Sequence, residues 1–217
     1  MRDFTIAINA GGKSSRMGMN KAFVKLVGKP LIQHVLDNIK HLDHAEIILI
    51  TNNPDEYAHL TLPMYPDVIP DSGSLGGIYS ALHYSKTSQT IMLACDMPFV
   101  NPHIIKLMLK QSQQADAIIP THKGYPQGFH GLYRQSCLTI IKNRITKRQF
   151  KVKLALERSN VEYLNEEDYQ HIDSSGASFF NINTPDDLKQ AEKLYTDLRV
   201  MSADTSANHH KENTDHI

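Results

Sequence analysis

Apolar positions in this chain fall mostly in unbroken runs, and stretches with helical spacing separate the runs. Phe4-Thr5-Ile6-Ala7-Ile8, Glu46-Ile47-Ile48-Leu49-Ile50-Thr51, Thr90-Ile91-Met92-Leu93-Ala94-Cys95 and Ala117-Ile118-Ile119 read as strands. Aliphatic runs without a polar face predict strands covered on both sides. A shorter strand is expected at Val68-Ile69. Leu31, Ile32, Val35, Leu36 and Ile39 recur at helical spacing behind Pro30, and Ile78, Ala81 and Leu82 do so behind Gly76-Gly77. Ile105, Leu107, Met108 and Leu109 form a third helical pattern behind Pro102. Strand and helix alternating in this way predict an α/β fold of three layers with a mainly parallel central sheet. Ligands in such folds sit beyond the carboxyl ends of the strands, so the residues that follow each strand-like run become the candidates for function.

Composition narrows the class without naming it. A length of 217 residues with 41% hydrophobic content suits one domain, expected over residues 1–199. A polar tail, expected to be unstructured, follows from residue 200 to 217; its stretch from Ser202 to His216 has no aliphatic residue except Ala. Lys and Arg total 23 and Asp and Glu total 23, so bulk charge gives no ground for a nucleic-acid partner or a membrane surface. No run is long and apolar enough for a membrane span and no leader precedes the first strand, which predicts a cytoplasmic protein. Cys95 and Cys137 lie in apolar surroundings without a C-x-x-C spacing and are expected to be reduced core thiols.

Local charge is more telling. From Phe4 to Leu36 there is no Asp or Glu, while Lys13, Arg16, Lys21, Lys25 and Lys29 are cationic. Within that stretch Asn9-Ala10-Gly11-Gly12-Lys13-Ser14-Ser15-Arg16-Met17-Gly18 leaves the first strand, with Lys21 just behind. Glycines permit a tight bend and close approach of backbone N–H groups to a ligand, and cations with hydroxyls suit a triphosphate. The adjacent Gly11-Gly12 pair does not fit the dinucleotide template G-x-G-x-x-G, and Met19 stands where a P-loop requires Lys. A second stretch, Ala117 to Leu156, also lacks carboxylates but carries Lys123, Arg134, Lys142, Arg144, Lys147, Arg148, Lys151 and Lys153. It reads either as a solvated helix face or as a second anionic site.

Three further positions carry candidate chemistry. Asp96 follows an apolar strand directly and suits a Mg²⁺ ligand beside phosphate oxygens, or else a helix cap. Asp71, in Pro70-Asp71-Ser72-Gly73-Ser74-Leu75-Gly76-Gly77, offers a carboxylate to the N1–H and N2–H₂ of guanine or to ribose hydroxyls. Asn183 lies in Phe180-Asn181-Ile182-Asn183-Thr184-Pro185-Asp186-Asp187-Leu188, where Thr184 and Pro185 are helix-start residues and the Asn183 amide oxygen is a second candidate metal ligand.

These four blocks, taken in order, resemble the molybdenum cofactor guanylyltransferase (MobA) family over about residues 4 to 195. The resemblance implies a Rossmann-like nucleotidyltransferase that uses GTP and Mg²⁺ and passes GMP to the terminal phosphate of molybdopterin. It implies GTP contacts at Asn9, Ala10, Gly11, Lys21, Thr51 or Asn53, Asp71 and Asp96, with Asp96 also on the metal. The residues themselves add Gly12, Lys13, Gly76 and Gly77 to the nucleotide site, and Lys21, Arg16 and Asp96 to catalysis. The product implies a molybdoenzyme or a delivery protein as a partner. Asn9 stands where the family usually has an aliphatic residue, and Gly128-Phe129 where it tends to have Pro-Leu. Two other readings stay open: cytidylyl transfer to molybdopterin or to a sugar or polyol phosphate, and a non-catalytic nucleotide-binding regulatory module.

Overall fold

The computed structural model describes residues 3–11, 20–111, 114–157 and 159–212. The elements run in chain order as β1 (Phe4–Asn9), β2 (Lys25–Leu26), β3 (Lys29–Pro30), α1 (Leu31–Ile39), β4 (Glu46–Ile50) and α2 (Pro54–Tyr57). Next come β5 (Met64–Tyr65), α3 (Gly73–Tyr84), β6 (Gln89–Ala94), α4 (Pro102–Lys110), β7 (Ala117–His122) and β8 (Tyr125–Pro126). The chain ends with β9 (His130–Arg134), α5 (Cys137–Thr146), α6 (Val152–Ala155), β10 (Val161–Leu164), α7 (Glu166–Tyr169) and α8 (Pro185–Glu212).

The central sheet has the order β10-β7-β9-β6-β1-β4-β5, with β8 paired to β7. The β1–β4, β1–β6, β4–β5 and β7–β10 pairs are parallel, and β9 runs antiparallel between β6 and β7. The mainly parallel three-layer α/β arrangement expected from the hydrophobic runs is therefore present. Side chains along each strand alternate between two cores. Ile6, Ile8, Leu49, Ile91 and Leu93 face one core, shared with Ile32, Val35 and Ile39 of α1 and Ile104, Ile105 and Met108 of α4. Ala7, Ile48, Ile50 and Met92 face the other, shared with Leu75, Ile78 and Leu82 of α3 and Cys137, Ile141 and Ile145 of α5. Burial on both faces is why these strands read as continuous apolar runs.

Two local expectations are corrected. The strand expected at Val68-Ile69 is instead β5 at Met64–Tyr65, where the Leu49 and Thr51 amides donate to the Pro63 and Tyr65 carbonyls, each at 2.9 Å. Helix α3 starts at Gly73, so Gly76 and Gly77 lie inside its first turns and do not precede it. Backbone pairing with β4 and the packing of α3 on the second core decided both positions over local propensity.

Helix α8 opens at Pro185 as the Thr184-Pro185 pair predicts, and it continues to Glu212, across the tail boundary expected at residue 199. Cys95 and Cys137 are both buried and free. No helix among the described residues is long and apolar enough to cross a membrane.

Strand order is what positions the site. From β1 the chain passes to β4 on one side, and β6 then pairs on the other side of β1. Sheets of this kind open a crevice at the carboxyl end of the strand where the direction of winding reverses. Here that strand is β1, and the residues at its carboxyl end are Asn9, Ala10 and Gly11.

Candidate active site

Asp96 lies one residue past Cys95, whose amide donates to the Asn9 carbonyl at 3.1 Å, so the turn after β6 is tied to the end of β1. Lys21 opens a short 3-10 turn, Lys21–Phe23, on the other side of the glycine-rich segment. Its Nζ stands 3.6 Å from Asp96 Oδ2 and donates to Asn183 Oδ1. The Ile182 amide donates to the Asp96 carbonyl at 3.0 Å, which fastens the segment bearing Asn183 to the turn bearing Asp96. Asp187 then fixes the backbone at Asn183 by accepting from the Asn183 and Thr184 amides at 2.9 and 2.8 Å. Burial opposes the Asp187 charge, but these donors outweigh it and hold the carboxyl below its usual range.

Three residues far apart in the chain thus present an ammonium, a carboxylate and an amide oxygen to one point. Their side chains are only partly open, at 24% for Lys21 and 17% for Asp96. Burial raises the Asp96 carboxyl above its ordinary value, and the nearby Lys21 charge works against that rise. Cys95, next to Asp96, is buried, and its thiol is pushed up to about 12 by that burial. Burial thus favours the neutral thiol, which is a poor nucleophile.

The glycine-rich segment is anchored at both ends by one residue that the sequence did not single out. Tyr57, fully buried at the end of α2, donates its hydroxyl to the Ala10 carbonyl at 3.2 Å and accepts from Asn20 Nδ2 at 2.8 Å. Ala10 and Asn20 flank the segment. Gly12, Lys13 and Arg16 fall inside it and lie outside the described residues.

A second group forms on the α3 side of β1. The Asn9 side chain donates from Nδ2 to the Gly11 carbonyl at 3.3 Å, and a Cβ on Gly77 would stand only 2.8 Å from Asn9 Oδ1. A Cβ on Gly76 would likewise meet Ser72 Cβ at 2.7 Å. Both α3 glycines therefore serve close packing, Gly77 against the strand end and Gly76 against the turn.

Thr51 is buried behind β4 and its Oγ1 accepts from the Asn53 amide at 3.2 Å, while the Asn53 side chain is exposed. Asp71 is exposed in the left-handed region at φ 56°, two residues before α3. Asp tolerates that conformation better than most residues. Among the described residues no hydrogen bond or ion pair joins it to Lys21, Asp96 or Asn183.

The basic stretch divides. Arg134 ends β9 and its Nε donates to the Ala115 carbonyl at 2.7 Å, so it supports the opposite edge of the sheet. Arg144, Arg148 and Lys151 line an open hollow with Gln149, Phe150 and Glu157 behind the carboxyl end of α5. Val152 packs beside Gly128, just ahead of β9, which puts this hollow on the same sheet edge as Asp96.

The fold and the site together define an α/β nucleotidyltransferase: a mainly parallel sheet at whose switch-point crevice a lysine and an aspartate meet. The profile described as the MobA-like NTP transferase domain matches residues 6–161, and the chain belongs to that family. A Carboxydothermus hydrogenoformans protein named "Probable molybdenum cofactor guanylyltransferase" is 32% identical over 196 residues, which cover 90% of this chain and 98% of that one. A Clostridium perfringens protein of the same name is 34% identical, covering 82% and 90%. The crystal structure of molybdopterin-guanine dinucleotide biosynthesis protein A from Archaeoglobus fulgidus superimposes with a TM-score of 0.77 at 32% identity, covering 89% of this chain and 99% of that one.

Proposed function

We propose that this chain is a molybdenum cofactor guanylyltransferase that transfers GMP from GTP to the terminal phosphate of molybdopterin, forming molybdopterin guanine dinucleotide and pyrophosphate. The observation that carries this reading is the meeting of Lys21, Asp96 and Asn183 at the mouth of the β1 crevice. The names of the relatives supply the acceptor and the base.

The difficulty of the reaction is electrostatic. A phosphate monoester is already mostly dianionic at neutral pH, since its second pKa lies near 6, so no general base is needed. An acceptor oxygen attacks the α-phosphorus, a P–O bond forms, the bond to the α–β bridging oxygen breaks, and that oxygen leaves on pyrophosphate. The protein must bring two polyanions together and neutralise charge as it moves. Lys21 is assigned to the α-phosphate. The glycine-rich segment is assigned to the β- and γ-phosphates, with Lys13 and Arg16 stabilising the leaving pyrophosphate. The hollow at Arg144, Arg148 and Lys151, on the same sheet edge as Asp96, is assigned to the acceptor's phosphate.

Mg²⁺ fits the donor set. Asp96 and Asn183 offer two hard oxygens that already face one cation, the Lys21 ammonium. Among the described residues no group of three His, Cys, Asp or Glu side chains is placed to hold a metal ion; beside Asp96 and Asn183, nucleotide phosphates would supply further oxygens. When bound, the metal supplies Lewis-acid neutralisation of phosphate oxygens. Asp96 and Asn183 would hold it, and Lys21, released from them, would turn to phosphate.

A thermal-shift titration with GTP, CTP, ATP and UTP, with and without Mg²⁺, tests this reading. Native-state binding at about 100-fold excess over Kd adds roughly 2.7 kcal/mol of stability. A Mg²⁺-assisted shift with GTP alone is expected. A shift with CTP alone transfers the reading to a cytidylyltransferase, and no shift with any nucleotide removes it.

A further inference from the structure

Asp173 is a buried carboxylate to which the reaction gives no direct task. It lies in the connection between α7 and α8, whose one regular element is the 3-10 turn Ala177–Phe179. Asp173 holds that turn through both oxygens. Oδ1 accepts from the Ser175 hydroxyl at 2.9 Å and the Ala177 amide at 3.1 Å, and Oδ2 accepts from the Ser178 amide at 2.8 Å. Burial opposes the charge, but these donors outweigh it and hold the carboxyl below its usual range. Gly176 lets the chain enter the turn in the left-handed region at φ 67°, and a Cβ there would collide with the His122 ring.

The turn leads directly to the active site. Phe179, at its end, is enclosed by the rings of His122, His130 and Tyr169, with centroids at 5.4, 5.0 and 5.2 Å. Three residues on, the Ile182 amide donates to the Asp96 carbonyl at 3.0 Å, and Asn183 beside it accepts from Lys21. Residues 180–184 belong to no helix or strand, so the place of Asn183 depends on what holds the segment at each end. Asp187 holds it from the α8 side, through the Asn183 and Thr184 amides. Asp173 holds it from the other.

We infer that Asp173 is a positioning residue for the metal site: by fixing the turn at 176–179 it sets where Ile182 meets Asp96 and where the Asn183 amide oxygen stands. This rests on the guanylyltransferase reading, with Asp96 and Asn183 as the metal ligands within it. A carboxylate suits the task and a carboxamide does not. Two ionised oxygens accept all three donors, whereas an Asn side chain would turn its own N–H₂ toward an N–H or O–H donor. A buried donor left unpaired in this way is costly, so the turn would shift to relieve it. Groups that orient metal ligands without touching the metal commonly govern its affinity by about 10- to 100-fold.

Mn²⁺ is the probe, because its free ion is read by electron paramagnetic resonance. The full chain is titrated with Mn²⁺ at saturating GTP, and GTP binding in EDTA is measured by calorimetry. Asp173→Asn should bind Mn²⁺ about 10-fold more weakly than wild type and bind metal-free GTP as wild type does. Its Ile182 amide should exchange hydrogen faster. Ser175→Ala, which removes one donor to Asp173, should move Mn²⁺ affinity and Ile182 exchange the same way by less. It decides the matter if the asparagine variant is not folded by its melting curve, and unmoved Mn²⁺ affinity in it then overturns the inference. Folded Asp173→Asn with wild-type Mn²⁺ affinity or wild-type Ile182 exchange overturns it too. So does an equal loss of GTP binding with and without metal, which marks general damage. Each of these results leaves guanylyl transfer intact. Wild-type protein that takes up no Mn²⁺ beside GTP removes the metal reading and the inference together.

Discussion

Lys21 Nζ and Asp96 Oδ2 stand 3.6 Å apart across the mouth of the β1 crevice, and the same ammonium donates to Asn183. The pair is not an optimised structural ion pair. Burial lifts the Asp96 carboxyl, which means that the fold disfavours its charged form even with Lys21 beside it. A carboxylate kept at such a cost serves function at the expense of stability.

Asp96→Asn should separate those two roles. Turnover should fall about 10²-fold or more, the size of loss typical for a removed electrostatic contact at a reacting phosphoryl or acyl centre. Melting temperature at pH 7 should rise. The folded pKa lies above the unfolded value near 3.8, so this group's stabilising contribution is full below 3.8 and is lost as pH rises through the folded value. The gain from Asn should therefore be present at neutral pH and vanish toward pH 3.8. Melting curves across pH check this, and a lower melting temperature at pH 7 would contradict it.

Lys21→Ala should cost a similar factor in turnover and leave a second signature. Lys21 opposes the rise of the Asp96 carboxyl, so removing it should move the acidic limb of the kcat/KM profile to higher pH. An unmoved acidic limb would show that Asp96 does not feel Lys21.

Tyr57→Phe should loosen the loop without touching the reacting groups. The hydroxyl joins Ala10 to Asn20, and burial raises its pKa far above the ordinary phenol value, so it acts as a neutral donor and acceptor. Losing two such bonds should lower stability by about 1–3 kcal/mol. KM for the nucleotide should rise several-fold with a smaller change in kcat. Steady-state kinetics read this directly, and an unchanged KM would detach Tyr57 from nucleotide binding.

His130 should set the acid limit of the fold. It is fully buried at the start of β9, and its ring packs 5.0 Å from the Phe179 ring. Burial drives its pKa from 6.5 down to about 4. The neutral ring therefore contributes stability that is complete above pH 6.5 and is lost as pH falls through 4, a span worth about 3 kcal/mol at about 1.4 kcal/mol per pH unit. His130→Phe should flatten the decline in melting temperature over that window. A wild-type slope in the variant would assign acid sensitivity to another group.

How far these features could be read from the chain depends on how local their causes are. Strand β1, the cations behind it and Asp96 after β6 are carried by contiguous residues, so runs and spacing revealed them. Strand β9 was not legible, since His130-Gly131 interrupts any apolar run and the pairing partners lie in β6 and β7. The start of α3 at Gly73 was hidden by its glycines, which read as loop but pack in the helix against Ser72 and Asn9. The contact of Lys21 with Asn183 spans 162 positions, and Tyr57 reaches 47 and 37 positions back to Ala10 and Asn20. Such links are set by strand order, which no spacing rule encodes. The polar character of Asn9 was visible, but its place between Gly11 and Gly77 required the packed helix.

Transfer of GMP to a phosphorylated pterin is the activity assigned to this crevice. Purified protein, GTP labelled at the α-phosphate, Mg²⁺ and molybdopterin, with products separated by chromatography and identified by mass, test it most directly. Label should appear in molybdopterin guanine dinucleotide with one pyrophosphate released per transfer, and no dinucleotide should form when CTP replaces GTP. Formation of the cytosine dinucleotide in preference, or no transfer from GTP by folded protein that binds it, would contradict the account.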